Sequence, residues 1–293
     1  MKTHYEPSDN IDVARTAIGA AIAFAIIVGL SFLYNAIISV IPIIYLSVVA
    51  PIGYGVLLGL MSRVVIHLGK FRSRKKGVVL ALLFGLAANY TQWFAYLDFV
   101  YVQDFQVHFA SYLNALFGGF GLGEALGGVA EINEYGTWSI GASGENPVNG
   151  VLLTIIWVLE FLIILLYPAW TLRKKRSRPF SENQDRFYDQ FILENLFQAL
   201  YTSTKAEHGM AEDPLSYLKG IALTSRYPGS RVEVYFLPDE NAAYVSILRT
   251  RIDEKQNEIS MPVVNEFRVK SRDAKRILDA FPHAKDGFNV FID

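Results

Sequence analysis

The sequence predicts a membrane α-helical bundle of four transmembrane helices, followed by a small cytoplasmic α+β domain. Three observations predict this fold class. No lysine or arginine occurs between Lys76 and Arg173, although the chain of 293 residues contains 27 basic residues. Long apolar segments lie just inside the basic clusters at both ends of this stretch. From Arg231 onward the hydrophobic period changes to two, which is the period of a β-strand.

Two clusters of basic residues predict the orientation and the domain boundary. Lysine and arginine stay on the cytoplasmic side during insertion, so both termini are expected in the cytoplasm. The expected domains are 1–178, with a long outer loop at 98–150, and 179–293. At anionic lipid headgroups each basic charge contributes about 1 kcal/mol. The predicted membrane-surface residues are Arg72, Arg74, Lys75, Lys76, Arg173, Lys174, Lys175, Arg176 and Arg178.

Four apolar segments are long enough to cross a bilayer, which requires about 20 residues. The predicted transmembrane helices cover residues 16–37, 44–66, 77–97 and 151–172. Residues 39–42 form the turn between the first two helices. Because this turn is short, we expect these two helices to form an antiparallel hairpin.

Small residues recur at helix-packing spacing on the first two predicted helices. Ala21, Ala25 and Gly29 share one face of the first helix, and Gly55 and Gly59 form a pair on the second. Such faces let membrane helices approach closely. Two interpretations are open for them: packing within the chain, or the seam of a homo-oligomer.

Glu160 lies near the middle of the fourth apolar segment. At 1.5 Å per residue, Asn89 and Tyr54 are expected at nearly the same depth in their helices. A carboxyl group at that depth is costly unless it is paired, protonated or in contact with water. The three residues are therefore predicted to form an intramembrane polar cluster. This cluster is either a proton or cation site, or a neutral acid whose hydrogen bonds to Asn89 or Tyr54 hold the bundle together.

The outer loop combines aromatic, glycine-rich and acidic segments. Residues 101–117 have the composition of an amphipathic helix that lies on the membrane surface. The acids between Glu124 and Glu145 are open to two interpretations, a calcium or cationic-ligand site and an ordinary acidic outer loop. Their spacing matches no defined calcium loop. His108 is the lone histidine of this loop, so no metal site is predicted here.

The C-terminal part combines predicted helices with predicted strands. Ser181 and Gln184 have the spacing of a capping box, which predicts a helix over residues 181–200. A short helix over 213–220 follows from an aspartate N-cap, a proline at the first helical position and a terminal glycine. A third helix is predicted over 271–281.

Alternating apolar and polar residues predict the strands of this part. They cover residues 231–236, 243–250, 259–269 and 288–292, and the polar turn 253–257 joins the second strand to the third. Pro262 indicates an edge or bulged position, because proline has no backbone N–H for a central ladder.

No catalytic or cofactor-binding motif is present. The chain has no phosphate-binding glycine loop, no histidine pair at metal-binding spacing and no nucleophile elbow. The absence of cysteine excludes disulfides, thiolate metal sites and a cysteine nucleophile. The basic cluster in 268–276 is interleaved with acids, which favours a solvated face over a nucleic-acid site. We therefore expect no enzymatic activity, no cofactor, no metal and no nucleic-acid partner.

Two segments carry a weak family resemblance. They are the stretch 131–138 (EINEYGTW), and Trp157–Glu160 followed after the helix by Pro179–Glu182 (PFSE). They resemble a group of uncharacterised bacterial four-helix inner-membrane proteins with a cytoplasmic tail. In that group the tail often opens with Pro-Phe-Cys-Glu-x-Cys, which implies a zinc knuckle. Ser181 stands where the first cysteine would be, and the second is also absent, so the resemblance implies no zinc site for this chain.

These patterns favour one function and leave a second open. The first is an integral protein of the bacterial inner membrane whose cytoplasmic domain docks a partner protein. The alternative is a small oligomeric channel or proton-linked transporter that uses Glu160. An intramembrane enzyme is disfavoured because the apolar segments contain no paired catalytic groups.

Overall fold

A computed structural model describes residues 3–40, 44–102, 108–118, 121–136, 148–173 and 178–285. The chain divides into two compact units, each with a core of its own. One unit is Asn10–Arg176. The other combines Ser177–Asp293 with the N-terminal segment Met1–Asp9, so the two ends of the chain belong to the same unit.

Four long helices form the first unit, and they confirm the predicted bundle. They are α1 (Val13–Val40), α2 (Ile44–Leu68), α3 (Arg74–Tyr101) and α6 (Gly150–Arg173). Each contains a segment long and apolar enough to cross a membrane. Both α1 and α6 pack against α2 and against α3. A turn was predicted at residues 39–42. Residues 39 and 40 form the end of α1 instead, and residues 41–43 lie outside the described residues.

Apolar side chains of these helices cover the outer surface of the bundle. Ile18, Leu83 and Leu159 are each more than half exposed on the outside of the bundle. In water such a surface would drive aggregation, whereas a helix that is hydrophobic all round suits a membrane span. The fold class and the exposed apolar surface agree that the chain is a multi-pass membrane protein.

Two shorter helices lie between α3 and α6. They are α4 (His108–Phe117) and α5 (Leu122–Tyr135). The Tyr112 side chain of α4 is fully buried, and its hydroxyl donates a hydrogen bond to the carbonyl of Val28 at 3.2 Å. Val28 lies about 18 Å along α1 from Val40, because a helix rises about 1.5 Å per residue. Helix α4 therefore packs into the bundle instead of lying on the membrane surface as predicted, since its aromatic face finds partners on α1 and α3.

The paired glycines of α2 lie close to another helix, whereas Gly29 of α1 does not. A methyl group added at Gly55 would lie 3.1 Å from Cβ of Tyr167, and one at Gly59 would lie 2.9 Å from Oγ1 of Thr171. Both contacts are with α6, so this pair serves packing within the chain. By contrast, nothing lies within 4 Å of such a methyl at Gly29.

An antiparallel sheet forms the centre of the second unit. Its strands are β3 (Asp189–Leu193), β4 (Phe197–Gln198), β5 (Gly229–Phe236), β6 (Ala242–Ile252), β7 (Glu258–Lys270) and β8 (His283–Lys285). The order is β7-β6-β5-β3-β8, and β4 pairs with β5. A separate small hairpin consists of β1 (Phe180–Ser181) and β2 (Arg186–Phe187). The helices α7 (Ser203–Glu212), α8 (Pro214–Lys219) and α9 (Ser271–Ala280) contribute side chains to the main core.

Several sequence predictions are confirmed in this unit. Strands β5, β6 and β7 and helices α8 and α9 occur where they were predicted. Asp213 caps α8, and its hydrogen bond from the Ser216 hydroxyl lowers the pKa of its carboxyl group. Pro262 lies on β7, at one end of the strand order, next to a register shift between β6 and β7. The strand predicted at 288–292 lies outside the described residues.

The helix predicted over 181–200 is wrong. The predicted capping contact does form, because Ser181 Oγ accepts a hydrogen bond from the backbone N–H of Gln184 at 3.0 Å. The chain then turns into the β1–β2 hairpin and continues as β3, where Phe191 lies opposite Val234 of β5. Aromatic and β-branched residues favour strands, and the pairing of β3 with β5 outweighs the local capping pattern. Helix α7 was not predicted.

Candidate functional site

Glu160 of α6 is the acid nearest the centre of the bundle. It lies about 15 Å along α6 from Gly150, by the rise of a helix. The hydroxyl of Tyr34, on α1, donates a short hydrogen bond to its Oε1 atom. The Tyr34 ring is buried and stacks on the ring of Tyr54, on α2, with 5.4 Å between centroids. The stacking fixes the direction in which the Tyr34 hydroxyl points, so the carboxyl group meets a positioned donor.

Next to these stacked rings, hydroxyl groups on three helices lie within hydrogen-bond distance of one another. Ser31 Oγ lies 2.7 Å from the Tyr54 hydroxyl and 2.6 Å from Thr91 Oγ1. All three side chains are buried. Asn35 Nδ2 strengthens the link between α1 and α3, because it donates to the carbonyls of Ser31 at 2.9 Å and of Gln92 at 3.0 Å.

Asn89 joins α3 to α6 one residue beyond Glu160. Its Nδ2 donates to the carbonyl of Gly85 at 2.9 Å and to that of Phe161 at 3.3 Å. Its buried Oδ1 has no hydrogen-bond partner within the described parts of the chain. Unsatisfied buried acceptors are rare, and in apolar surroundings they cost free energy.

The predicted trio of Glu160, Asn89 and Tyr54 lies in one region, with different hydrogen bonds from those expected. Among the described residues, Tyr34 donates to Glu160, whereas Tyr54 bonds Ser31 and Asn89 bonds backbone carbonyls. The sequence reasoning missed Tyr34. The available signal was the polar dipeptide Tyr34-Asn35 within a largely apolar helix.

A small pocket lined by both polar and apolar side chains adjoins Glu160. It measures about 20 Å³, which is room for about one water molecule. The pocket lies in the halves of α1, α3 and α6 that are nearest the outer loop. Glu160 is its only acid, and it has no basic residue. Its lining residues are Asn35, Ile38, Gln92, Trp93, Tyr96, Ile156, Trp157 and Glu160.

A second polar pair lies where α4 meets α3. His108 Nδ1 is 2.9 Å from Asp98 Oδ2, and the two side chains are only 6% and 2% exposed. The histidine ring also stacks on Phe99, with 4.4 Å between centroids. The pair pins the start of α4 to the end of α3. His108 therefore has a structural partner in Asp98.

Among the residues that the structure describes, no three His, Asp or Glu side chains come together in a group that could hold a metal ion. Two acids of the outer loop already have partners. Glu124 accepts the N–H of Gly121 at 3.0 Å, and Glu131 accepts the Tyr101 hydroxyl at 2.8 Å. Glu145 lies outside the described residues.

The structure describes the whole of the first basic cluster and only part of the second. Arg74, Lys75 and Lys76 form the exposed first turn of α3. Arg72 was predicted at the membrane surface, but its side chain is buried. The neighbouring Phe71 explains this position, because its N–H bonds the carbonyl of Ile66 and its ring enters the bundle core. Arg173 ends α6, Arg178 is half-buried, and Lys174, Lys175 and Arg176 lie outside the described residues.

No protein family, curated protein or solved structure matches this chain. The resemblance to bacterial four-helix proteins therefore stays a prediction.

Proposed function

We propose that the bundle translocates protons and that Glu160 is the group that binds them. The observation that supports this proposal is the Glu160 carboxyl group itself. It lies near the middle of a helix that is long and apolar enough to cross a membrane, accepts a hydrogen bond from a positioned tyrosine and adjoins a pocket with room for about one water molecule.

The charges around Glu160 favour a proton as the bound species. No lysine or arginine occurs in residues 77–172, and the pocket lining contains no base. An ionised carboxylate would therefore lack a countercharge in a medium where an unpaired charge is costly. Taking up a proton removes the charge. A pocket that holds about one water suits the delivery of a proton.

Tyr34 and the pocket have separate roles in this proposal. The Tyr34 hydroxyl donates to the carboxylate and stabilises it after the proton has left. In the acid form the carboxyl O–H becomes a donor, while its other oxygen still accepts from Tyr34. Water in the pocket delivers the proton from the outer side. Proton flux through the Glu160→Gln variant in proteoliposomes tests the proposal.

We also propose a docking function for the C-terminal unit, on a different observation. Several large apolar side chains of its described part are exposed, among them Tyr201 (66%), Leu223 (57%) and Tyr227 (42%). The Arg249 guanidinium lies over the Tyr201 ring, 5.1 Å from its centroid. Aromatic and arginine side chains are enriched at protein interfaces. Mild crosslinking of the purified chain and mass spectrometry should detect a second protein that is lost in a Leu223→Asp variant; an unchanged yield contradicts docking there.

We further propose the bacterial inner membrane as the location, with both termini in the cytoplasm. The pairing of Thr3–Tyr5 with β7 of the C-terminal unit supports a topology in which the N-terminal segment and this unit lie on the same side of the membrane. Four spans, an even number, are consistent with that topology. The positions of the basic clusters favour the cytoplasmic side.

Reporter fusions test this orientation. A reporter joined after Arg178 should be active only in its cytoplasmic form, and one inserted near Ser143 only in its exported form. The reason is the placement of basic residues on both sides of 77–172. Cytoplasmic activity of the insertion near Ser143 would overturn the proposed topology.

A further inference from the structure

Arg63 is a charged residue within one of the membrane helices. It lies on α2, about 8 Å along the helix from the last residue, Leu68. Its side chain is half-buried, and its buried Nε atom has no hydrogen-bond partner among the described residues. No described residue forms an ion pair with it either. An unpaired charge in apolar surroundings is costly, so this guanidinium group needs an anion.

Arg63 lies where α2 meets the C-terminal end of α6 and the first turn of α3. About one turn before it, a methyl group at Gly59 would lie 2.9 Å from Oγ1 of Thr171. About one turn after it, Cδ1 of Ile66 lies 3.0 Å from the place of a methyl group at Gly77. The residues just before Gly77 are the exposed bases of α3. The surroundings of Arg63 are thus basic, which adds to the attraction for an anion.

The described part of the bundle offers no acid to Arg63. The sequence contains no aspartate or glutamate from Val13 to Leu97. Asp12, just before this stretch, already pairs with Arg15, whose Nε lies 3.3 Å from Oδ2. Glu160 is the only acid of α6, and it lies about 20 Å along that helix from its C-terminal end. The anion for Arg63 therefore comes from outside the bundle.

Toward the middle of α2, the face that carries Arg63 is apolar. Val56 and Ile52 lie about two and three helical turns before Arg63, and both are exposed on the outside of the bundle. On α6, which packs against α2, the exposed Trp170 ring lies 5.6 Å from the Tyr167 ring between centroids. Tryptophan and tyrosine are enriched where membrane helices meet the headgroup layer. A charged group followed by an apolar track matches the two parts of a phospholipid.

We propose that Arg63 binds the phosphate group of an anionic phospholipid, whose acyl chain lies along the face of Val56 and Ile52. The guanidinium group carries a planar fork of N–H donors, which fits two oxygens of one phosphate. The lipid thereby supplies the countercharge that the bundle lacks. The basic turn of α3 favours a headgroup of net negative charge over a zwitterionic one. This site is independent of proton translocation by Glu160 and of docking at the C-terminal unit.

Native mass spectrometry of the full chain, released from nanodiscs of phosphatidylcholine and phosphatidylglycerol, tests the site. The wild-type chain should retain phosphatidylglycerol preferentially. Arg63→Gln should retain about tenfold less of it, as expected when a charge-assisted hydrogen-bonded contact is lost. Arg15→Gln is the matched control, because it also removes a positive charge, at an exposed residue that already pairs with Asp12. If Arg63→Gln retains as much phosphatidylglycerol as Arg15→Gln, the site is overturned.

Two further measurements separate lipid binding from a structural role of Arg63. Arg63→Lys keeps the charge but lacks the planar fork, so its retention should fall between those of the wild type and Arg63→Gln. In phosphatidylcholine alone, thermal unfolding of Arg63→Gln should match that of the wild type, because no contact within the chain is lost. A clearly less stable Arg63→Gln would show a partner within the chain and overturn the proposal.

Inorganic phosphate distinguishes a lipid from a soluble anion. Sodium phosphate added to the nanodiscs should leave the retained phosphatidylglycerol unchanged, compared with sodium chloride at the same ionic strength. Free phosphate has the same binding group but no acyl chain to lie along α2. Displacement of the lipid by phosphate and not by chloride would make this a site for soluble phosphate. Equal retention of phosphatidylcholine would overturn the need for a net negative headgroup.

Discussion

Replacing Glu160 with glutamine is expected to reduce proton flux in proteoliposomes to the level of protein-free vesicles, while the bundle stays folded. Glutamine is nearly isosteric with glutamic acid and keeps an oxygen that can accept the Tyr34 hydrogen bond. It cannot titrate, so it cannot bind or release a proton. The measurement is the rate of internal pH change after an imposed pH gradient, with a permeable counter-ion present.

Glu160→Leu separates this role from a structural one. Leucine removes both the titration and the hydrogen bond, so it should also destabilise the bundle by about 0.5–2 kcal/mol, the range of interhelical hydrogen bonds in membranes. Thermal unfolding in detergent reports that difference between the two variants. Normal flux through the Glu160→Gln variant would rule out the proton site and leave Glu160 as a hydrogen-bonding group of the bundle.

The bundle was predictable from the sequence because a membrane imposes simple rules on it. The length of a span and the placement of basic residues are one-dimensional patterns, and α1, α2, α3 and α6 follow them. The depth of Glu160 follows from the same counting. The identity of its hydrogen-bond donor does not follow, because the depth of a residue does not determine how its helix is rotated about its axis. Asn89, Tyr54 and Tyr34 all lie at a suitable level, and only helix packing decides which of them reaches the carboxyl group.

The C-terminal unit shows a different limit of sequence reasoning. Strands β5, β6 and β7 were predictable because alternation and a polar turn are local signals. The segment 181–200 carries a capping pattern and apolar residues that suit either a helix or a strand, and pairing with β5 settled it as strands. The pairing of Thr3–Tyr5 with β7 could not be predicted from the sequence, since Tyr5 contacts Tyr244 and Phe180, which are distant in sequence.

Replacing Gly85 with alanine is expected to destabilise the bundle by about 1–3 kcal/mol, the usual cost of overpacking a close contact. A methyl group at this position would lie 2.9 Å from both Cα and O of Leu165, and 3.0 Å from O of Ile164. These are backbone atoms of α6, which cannot turn aside as a side chain can. Helices α3 and α6 would have to separate, and the Asn89 bond to Phe161 would lengthen with them. Thermal unfolding of the full chain in detergent measures the loss.

Gly53→Ala is the matched control for this prediction. Gly53 also lies within a membrane helix, and nothing is within 4 Å of a methyl group placed there. Alanine favours a helix over glycine, so this variant should be neutral or slightly more stable. Gly85→Val should be worse than Gly85→Ala, because a branched side chain needs still more separation of the two helices. If Gly85→Ala proves as stable as Gly53→Ala, the close crossing of α3 and α6 is wrong, and with it the placement of Asn89 beside the carbonyl of Phe161.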